Sequence, residues 1–428
     1  MNSLIRSYGR GIVLKRHRSV LVQRIGMMAT AAILALVHSA CTEMLSDPQQ
    51  AAYPRFALTG EVPDRVTAFD LTIDADDIRP IEERIHIDEG PHAFHVPLGT
   101  GRTIELLSVG DVYSGRITRD FNNGGEYEVT VPLVAGPVVP DPLNERVVQI
   151  RDISGAGWRG FPDPDGDLQL QDVSFVDAQY DDSGRLWLVD NELENPRFVA
   201  FDDLSTEDAA VAPLEPERAF AVAFDSDASL VYIFTFEDEV KGVLQATLDG
   251  EVTGPIIDVN LDLVGLAVRD DGTLLGVGGE AFAYSDIVHI DPRADEDPVI
   301  ETIDLVEAVQ GWDGIDPWAD ITIRGDHAYV TNAAAPQNHV IRIDTDLDPD
   351  SIVPVQPPDG EAFLGPRRFA ATRDDMGPII VTDQDPDDPE APGRLVAFEN
   401  VDGEGWTTLE HNPDDPDDEF AFFEFGGE

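Results

Sequence analysis

Arg146-Val-Val-Gln-Ile-Arg-Asp-Ile-Ser-Gly-Ala-Gly-Trp158 and Arg394-Leu-Val-Ala-Phe-Glu-Asn-Val-Asp-Gly-Glu-Gly-Trp406 match without a gap across 248 positions. Each opens on Arg, alternates apolar residues over a strand's length, turns at Gly-x-Gly and closes on Trp. Fainter copies of the strand core lie between them. The copies end at Arg151, Asp202, Asp249, Asp291, Asp344 and Glu399, in steps of 42–55 residues. Self-similarity at such a period marks stacked supersecondary units, and the step suits one four-stranded sheet. A second recurring unit is a hairpin with an acidic tight turn. It appears at Ala178–Asp190, Ala221–Phe234, Leu266–Val277, Ile321–Asn332 and Phe369–Asp383. Asp-Gly and Gly-Asp between apolar runs are the strongest short-range hairpin signal.

Six copies of the strand and five hairpins predict an all-β ring of six blades, a β-propeller over residues 144–428. The missing inner strand is assigned to Phe420-Ala-Phe-Phe-Glu-Phe425, pairing with strands from residues 146–162 and closing the ring without a long exposed edge. Tyr329-Val-Thr-Asn332 resembles the signature of YVTN repeats, and the hairpins are similar to NHL repeats. Both resemblances imply a propeller, and neither carries an activity, because propellers host many unrelated functions. Trp158 and Trp406, equivalent in the repeat, are expected to pack between blades.

Upstream, short alternating segments run from about residue 55 to 135: Arg65–Ile73, Arg84–Ile87, Ala93–Val96, Arg102–Leu107 and Glu126–Val131. Period-two alternation between Gly-rich turns predicts a β-sandwich. The order of strands and turns resembles the small Ig-like or transthyretin-like domains of bacterial surface lipoproteins. Tyr113-Ser-Gly115 reads as a turn, and residues 136–143, rich in Pro, read as a stiff linker.

Residues 1–40 read as a signal peptide, with a basic stretch ahead of a short apolar core at Met27–Val37. Cys41, the single cysteine of the chain, follows Ser39-Ala40 and resembles a lipoprotein cleavage and lipidation site; His38 departs from that pattern. The resemblance implies a protein held at the outer membrane or cell surface by a lipid, with residues 41–54 as a tether.

The chain has 84 acidic and 28 basic residues, a formal net charge of −56. Six of the basic residues fall within residues 1–40, so the remainder carries 22 against 84, a net of −62. Such a surface repels phosphate backbones, which excludes nucleic acid as a partner, and it keeps the chain off anionic bilayers except through a lipid anchor. Lysine occurs only at 15 and 241, and self-repulsion favours a monomer. No Gly-rich phosphate loop, Gly-x-Ser-x-Gly elbow or Cys/His pair is present, so the usual nucleotide, hydrolase and redox chemistries lack their residues.

In a propeller, the loops joining strands two to three and four to one share a face. Here those connections are the long ones: Asn191–Pro196, Gly279–Asp286, Ala333–Asn338 and Gln384–Gly393, with Val306–Trp318 and Pro354–Pro366. Binding in rigid scaffolds concentrates on such loops. The candidate binding face is therefore Asp190, Asn191, Trp312, Trp318, Asp320, Asn332, Arg368, Asp383 and Gln384, with a protein or glycan as ligand and no catalytic residue. The alternative is a Ca²⁺-dependent hydrolase similar to the six-bladed lactonases, whose resemblance implies oxygens converging on a metal at the pore. His86, His92 and His95 are close in sequence, but alternation puts His86 on a strand and His92 in the turn after it, against a zinc site. The acidic runs Asp163–Asp167, Asp385–Glu390 and Pro413–Glu419 read as solvated turns and loops.

Overall fold

The computed structural model describes residues 51–422 except 60–65, 76, 88–94, 110–112, 156, 162–174, 182–184, 191–196, 202–208, 214–217, 226–228, 238–239, 248–250, 255, 281–282, 295–296, 310–311, 313–318, 334–338, 373–376, 386–390, 413–414 and 421. Cys41 and the acidic run Asp163–Asp167 lie outside the described residues. Two compact units divide at Gly136 and Pro137.

The first unit is a β-sandwich. A five-stranded sheet runs Ile81–His86, Ala68–Asp74, Gly99–Ser108, Tyr113–Phe121, Val134–Ala135, and a three-stranded sheet runs Val96–Pro97, Ala51–Thr59, Gly125–Pro132. Leu71, Ile73, Ile104 and Leu106 of one sheet and Val96, Val129 and Val131 of the other share a single core. Alternation explains this: the burial of Gly99–Ser108 switches residue by residue from Arg102 to Ser108. Ser114-Gly115 is not a turn. It lies inside Tyr113–Phe121, where Ile104 pairs with Ile117 and Leu106 with Gly115. The first strand begins at Ala51, inside the stretch expected as tether. Arg102 is completely buried; its guanidinium pairs with Asp77 and donates to Leu98 O at 2.7 Å.

The second unit is the propeller. Five four-stranded antiparallel sheets follow one another in chain order, and in each the strands pair sequentially. Their first strands are Phe175–Tyr180, Arg218–Asp225, Asp262–Val268, Ile321–Arg324 and Pro366–Phe369, and residues of all five line a central channel. The second strands, such as Leu186–Asp190 and Ile379–Asp383, are buried on both faces, with apolar residues packing against the sheets on either side.

A sixth sheet has three strands, Val138–Asp141, Arg146–Gln149 and Arg159–Phe161. Its ion pair fixes its place in the repeat. Arg146 Nε donates to Asp141 at 2.8 Å, as Arg197 Nε does to Asp190 and Arg394 Nε to Asp383, both at 2.8 Å. In the latter two the Asp ends strand two and the Arg opens strand three. Val138–Asp141 is therefore a second-strand equivalent, and the stretch expected as a linker is part of the propeller. Pro140 is tolerated there because a strand at a sheet edge need not donate on its outer side.

Among the described residues no strand occupies the first position of this sheet. Val138 instead reaches Ala371, just beyond the first strand of the last four-stranded sheet, through reciprocal backbone bonds of 2.9 and 2.8 Å. The C-terminal segment acts elsewhere than expected. Gly393 N donates to Phe420 O at 2.9 Å, and Phe422 N donates to Gln384 Oε1 at 2.9 Å. Asn144 Nδ2 and Arg146 Nη2 both donate to Glu419 O, at 3.0 and 3.2 Å. Phe420 packs on Trp158 with ring centroids 4.6 Å apart and stacks on Phe422 at 5.2 Å. Glu419, Phe420 and Phe422 thus form a strap across the loops joining strands two and three of the three-stranded sheet and of the last four-stranded sheet; residues 421 and 423–425 of the expected inner strand lie outside the described residues. Gly393 makes room for it, since a Cβ there would lie 2.5 Å from the Phe422 ring.

Candidate functional site in the central channel

One residue in or just before each first strand reaches the same level of the channel. Asp177 pairs with Val189, Ala221 with Phe234 and Gly265 with Val277, each directly after a register shift in its first strand. Asp320 N and Arg368 N reach that level by donating to Thr331 Oγ1 and Thr382 Oγ1, both at 2.9 Å. The level therefore reads Asp, Ala, Gly, Asp, Arg around the channel.

The two aspartates do the same work. Asp177 Oδ1 accepts from its neighbour Ala178 N at 2.8 Å and Oδ2 from Val222 N, on the next sheet, at 2.7 Å. Asp320 Oδ1 accepts from Ile321 N at 2.8 Å and Oδ2 from Phe369 N, again on the next sheet, at 2.9 Å. Arg368 spans the channel. Its Nη1 donates to Val264 O at 2.7 Å and its Nη2 to Phe220 O at 3.4 Å, while Nη1 lies 3.8 Å from Asp320 Oδ1. Three side chains therefore cross-link all five first strands.

The small residues at this level are what let the arginine and the aspartate in. A Cβ on Gly265 would stand 2.8 Å from Asp320 Cα and 2.9 Å from its Oδ1. Gly265→Ala is expected to destabilise the propeller by about 1–3 kcal/mol through overpacking against backbone. Thermal denaturation checks this, and an unchanged midpoint would refute the close approach.

Burial dominates the electrostatics here. It pushes the Asp177 carboxyl up to about 7, helped by repulsion from Asp320 and opposed by Arg368 and by the amides of Val222 and Ala178. Asp320 is raised by burial too, against the pull of Arg368 and two amides.

Past this layer, toward the turns joining strands one and two, the channel widens into a cavity of about 300 Å³. Gln179, Tyr180, Thr322, Arg324 and Thr372 contribute polar walls, with Asp177 and Asp320 at the closed end.

The residues expected at the opposite, long-loop face are distributed differently from a ring of ligands. Asp190 and Asp383 are fully buried and paired with Arg197 and Arg394. Asp383 also accepts from Leu364 N at 2.9 Å and Gly365 N at 2.8 Å; burial, the first cause, raises its pKa against those partners. Asn332 is buried and its backbone pairs with His339. Gln384 Nε2 donates to Ala391 O at 2.7 Å, and its Oε1 holds the strap. Trp312, expected on a contact surface, is 3% exposed and packs with Leu305, Val309 and Ile321. Among the described residues of the set, only Asp320 and Arg368 come together. Asn191 and Trp318 lie outside the described residues, as does His92. Asp177 and Gly265 were missed: no repeat signature marks a level whose five residues are of four different types.

No family model matches the chain, and no curated protein matches it. Among solved structures it is similar to a chain of a nidogen/laminin complex, at 11% identity and a TM-score of 0.45 over 64% of this chain and 92% of that one. It is also similar to TolB from Acinetobacter baumannii, at 11% identity and a TM-score of 0.42 over 73% and 77% of the two chains. A third similarity is to Kuenenia stuttgartiensis hydrazine synthase, at 14% identity and a TM-score of 0.36 over 59% and 72%. Likenesses this distant say nothing of ligand or activity.

Proposed function

We propose that this chain is an exported, lipid-anchored surface protein whose propeller binds a protein or glycan through its long connections, without catalysing a reaction. One observation carries the non-catalytic part. The acidic groups that a pore metal would need are engaged in structural bonds. Asp190 and Asp383 are neutralised by arginines, and each oxygen of Asp320 already accepts from a backbone amide. Ca²⁺ takes six to eight oxygens, and recruiting these would leave Arg197 and Arg394 without their buried counter-ions. A lactonase-like site at the long-loop mouth is the weaker alternative. The export and anchoring parts rest on residues 1–41, and the exclusion of nucleic acid on the net charge of −62 carried by the rest.

Two measurements test the proposal. Purified protein lacking residues 1–41 is expected to hydrolyse lactones no faster with millimolar Ca²⁺ than with chelator; Ca²⁺-dependent turnover would overturn the non-catalytic assignment. The same protein, fluorescently labelled, is expected to bind isolated cell envelopes saturably in high salt. Replacing residues 386–390 by a Gly/Ser segment of equal length is expected to weaken that binding at least fivefold. Undiminished binding would remove the long connections from the interface.

A further inference from the structure

The end of the channel opposite the long connections has its own chemistry. Two carboxylates, Asp177 and Asp320, face one guanidinium, Arg368, in a layer where Asp177 and Asp320 are 4% and 5% exposed. With both carboxylates ionised, one negative charge is in excess at this end of a cavity of about 300 Å³, a volume at the lower end of small-ligand pockets. We propose that this cavity is a binding site for one small organic monocation, a primary ammonium or guanidinium group seated against Asp177 and Asp320.

Three features select that class. An ionised carboxylate offers about four acceptor positions, and each of these carboxylates uses two, one per oxygen, on backbone amides. Acceptor positions thus remain on both, enough for the three donors of an ammonium and too few for the oxygen shell of a hard divalent ion. Anions are disfavoured, because the terminal nitrogens of Arg368 are turned to the carbonyls of Val264 and Phe220. The walls fit a short carbon chain: Ala178, Phe369, Ala370 and Ala371 line the cavity beside Gln179, Tyr180 and Thr322. Charges nearer the mouth balance, with Asp270 against Arg324, and Arg324 is held to Thr372 Oγ1. The site lies on the side of the strand-one-to-two turns and does not depend on the proposed long-loop interface.

A proton competes for the same place. With the Asp177 carboxyl near 7, the ligand-free site is partly protonated at neutral pH, and a cation must displace that proton. Affinity should therefore fall about tenfold per pH unit below 7 and level off above it.

The test is calorimetric titration of methylammonium and of guanidinium into the protein lacking residues 1–41, in high potassium chloride. Titrations run in two buffers of different ionisation enthalpy. One saturable site that releases about half a proton at pH 7, and weakens on acidification as above, is the expected result. Asp177→Asn, which imitates the protonated carboxyl, should reduce affinity at least tenfold. Thr322→Phe leaves the charges in place and fills the cavity, and it should do the same. Circular dichroism confirms that each variant folds. Heats that never saturate, or saturable binding that survives Thr322→Phe, would mean diffuse attraction to an acidic surface and would overturn the proposal.

Discussion

Arg368→Met is expected to destabilise the propeller by about 3–5 kcal/mol, the cost of removing one member of a buried charge network. Methionine preserves much of the length and apolar stem, so the loss reports the guanidinium and not a cavity. Two carbonyls on separate sheets lose their donor, and Asp177 and Asp320 face each other without a counter-charge. The loss should grow with pH. Asp177 titrates higher in the fold than in the unfolded chain, about 7 against 3.8. Its contribution to stability is full below 3.8 and is lost as pH rises through 7. In acid the carboxyl is neutral and Arg368 has only Asp320 to balance; in base it has two. Denaturation midpoints of both proteins at pH 5 and pH 9 check this, and a defect independent of pH would show that the arginine matters only as a spacer.

Phe420→Ala should cost about 3–5 kcal/mol, the usual range for a fully buried aromatic. Phe420 is 1% exposed, and its ring closes the cluster of Val139, Val148, Leu395 and Ala397 contributed by the first and last sheets. Because the cluster belongs to two sheets, the variant should lose hydrogen-exchange protection first in Val138–Asp141 and Arg394–Phe398. Loss spread evenly over all sheets would argue against a local seam.

The thirteen-residue repeat was legible because its two copies do the same job. Arg146 and Arg394 each neutralise the aspartate that ends the preceding strand. Trp158 and Trp406 each lie against a phenylalanine, Phe420 at 4.6 Å and Phe363 at 4.8 Å. The partner of Arg146 was hidden, since Asp141 sits in a Pro-rich stretch whose composition reads as linker. Asp190 and Asp383 were visible as strand-end acids, but whether such an acid binds a metal or an arginine depends on what crosses from the next strand. Composition is silent on that. The channel layer was least legible. Asp177, Ala221, Gly265, Asp320 and Arg368 are complementary to one another instead of alike, so no period reveals them. Trp312 looked available because it breaks the repeat; it is in fact the wedge that carries the long connection back into the core.

The strap also dictates when the ring can be completed. Its bond from Asn144 to Glu419 joins residues 275 apart, so the first sheet of the propeller cannot acquire its final neighbours until Glu419 has been made. Until then Val139 and Val148 lack the Phe420 and Phe422 rings of their cluster, and such apolar surfaces invite mispairing during synthesis. Closure across so long a separation is also slow compared with forming the individual hairpins. The seam therefore stays unsealed until Glu419 has been made.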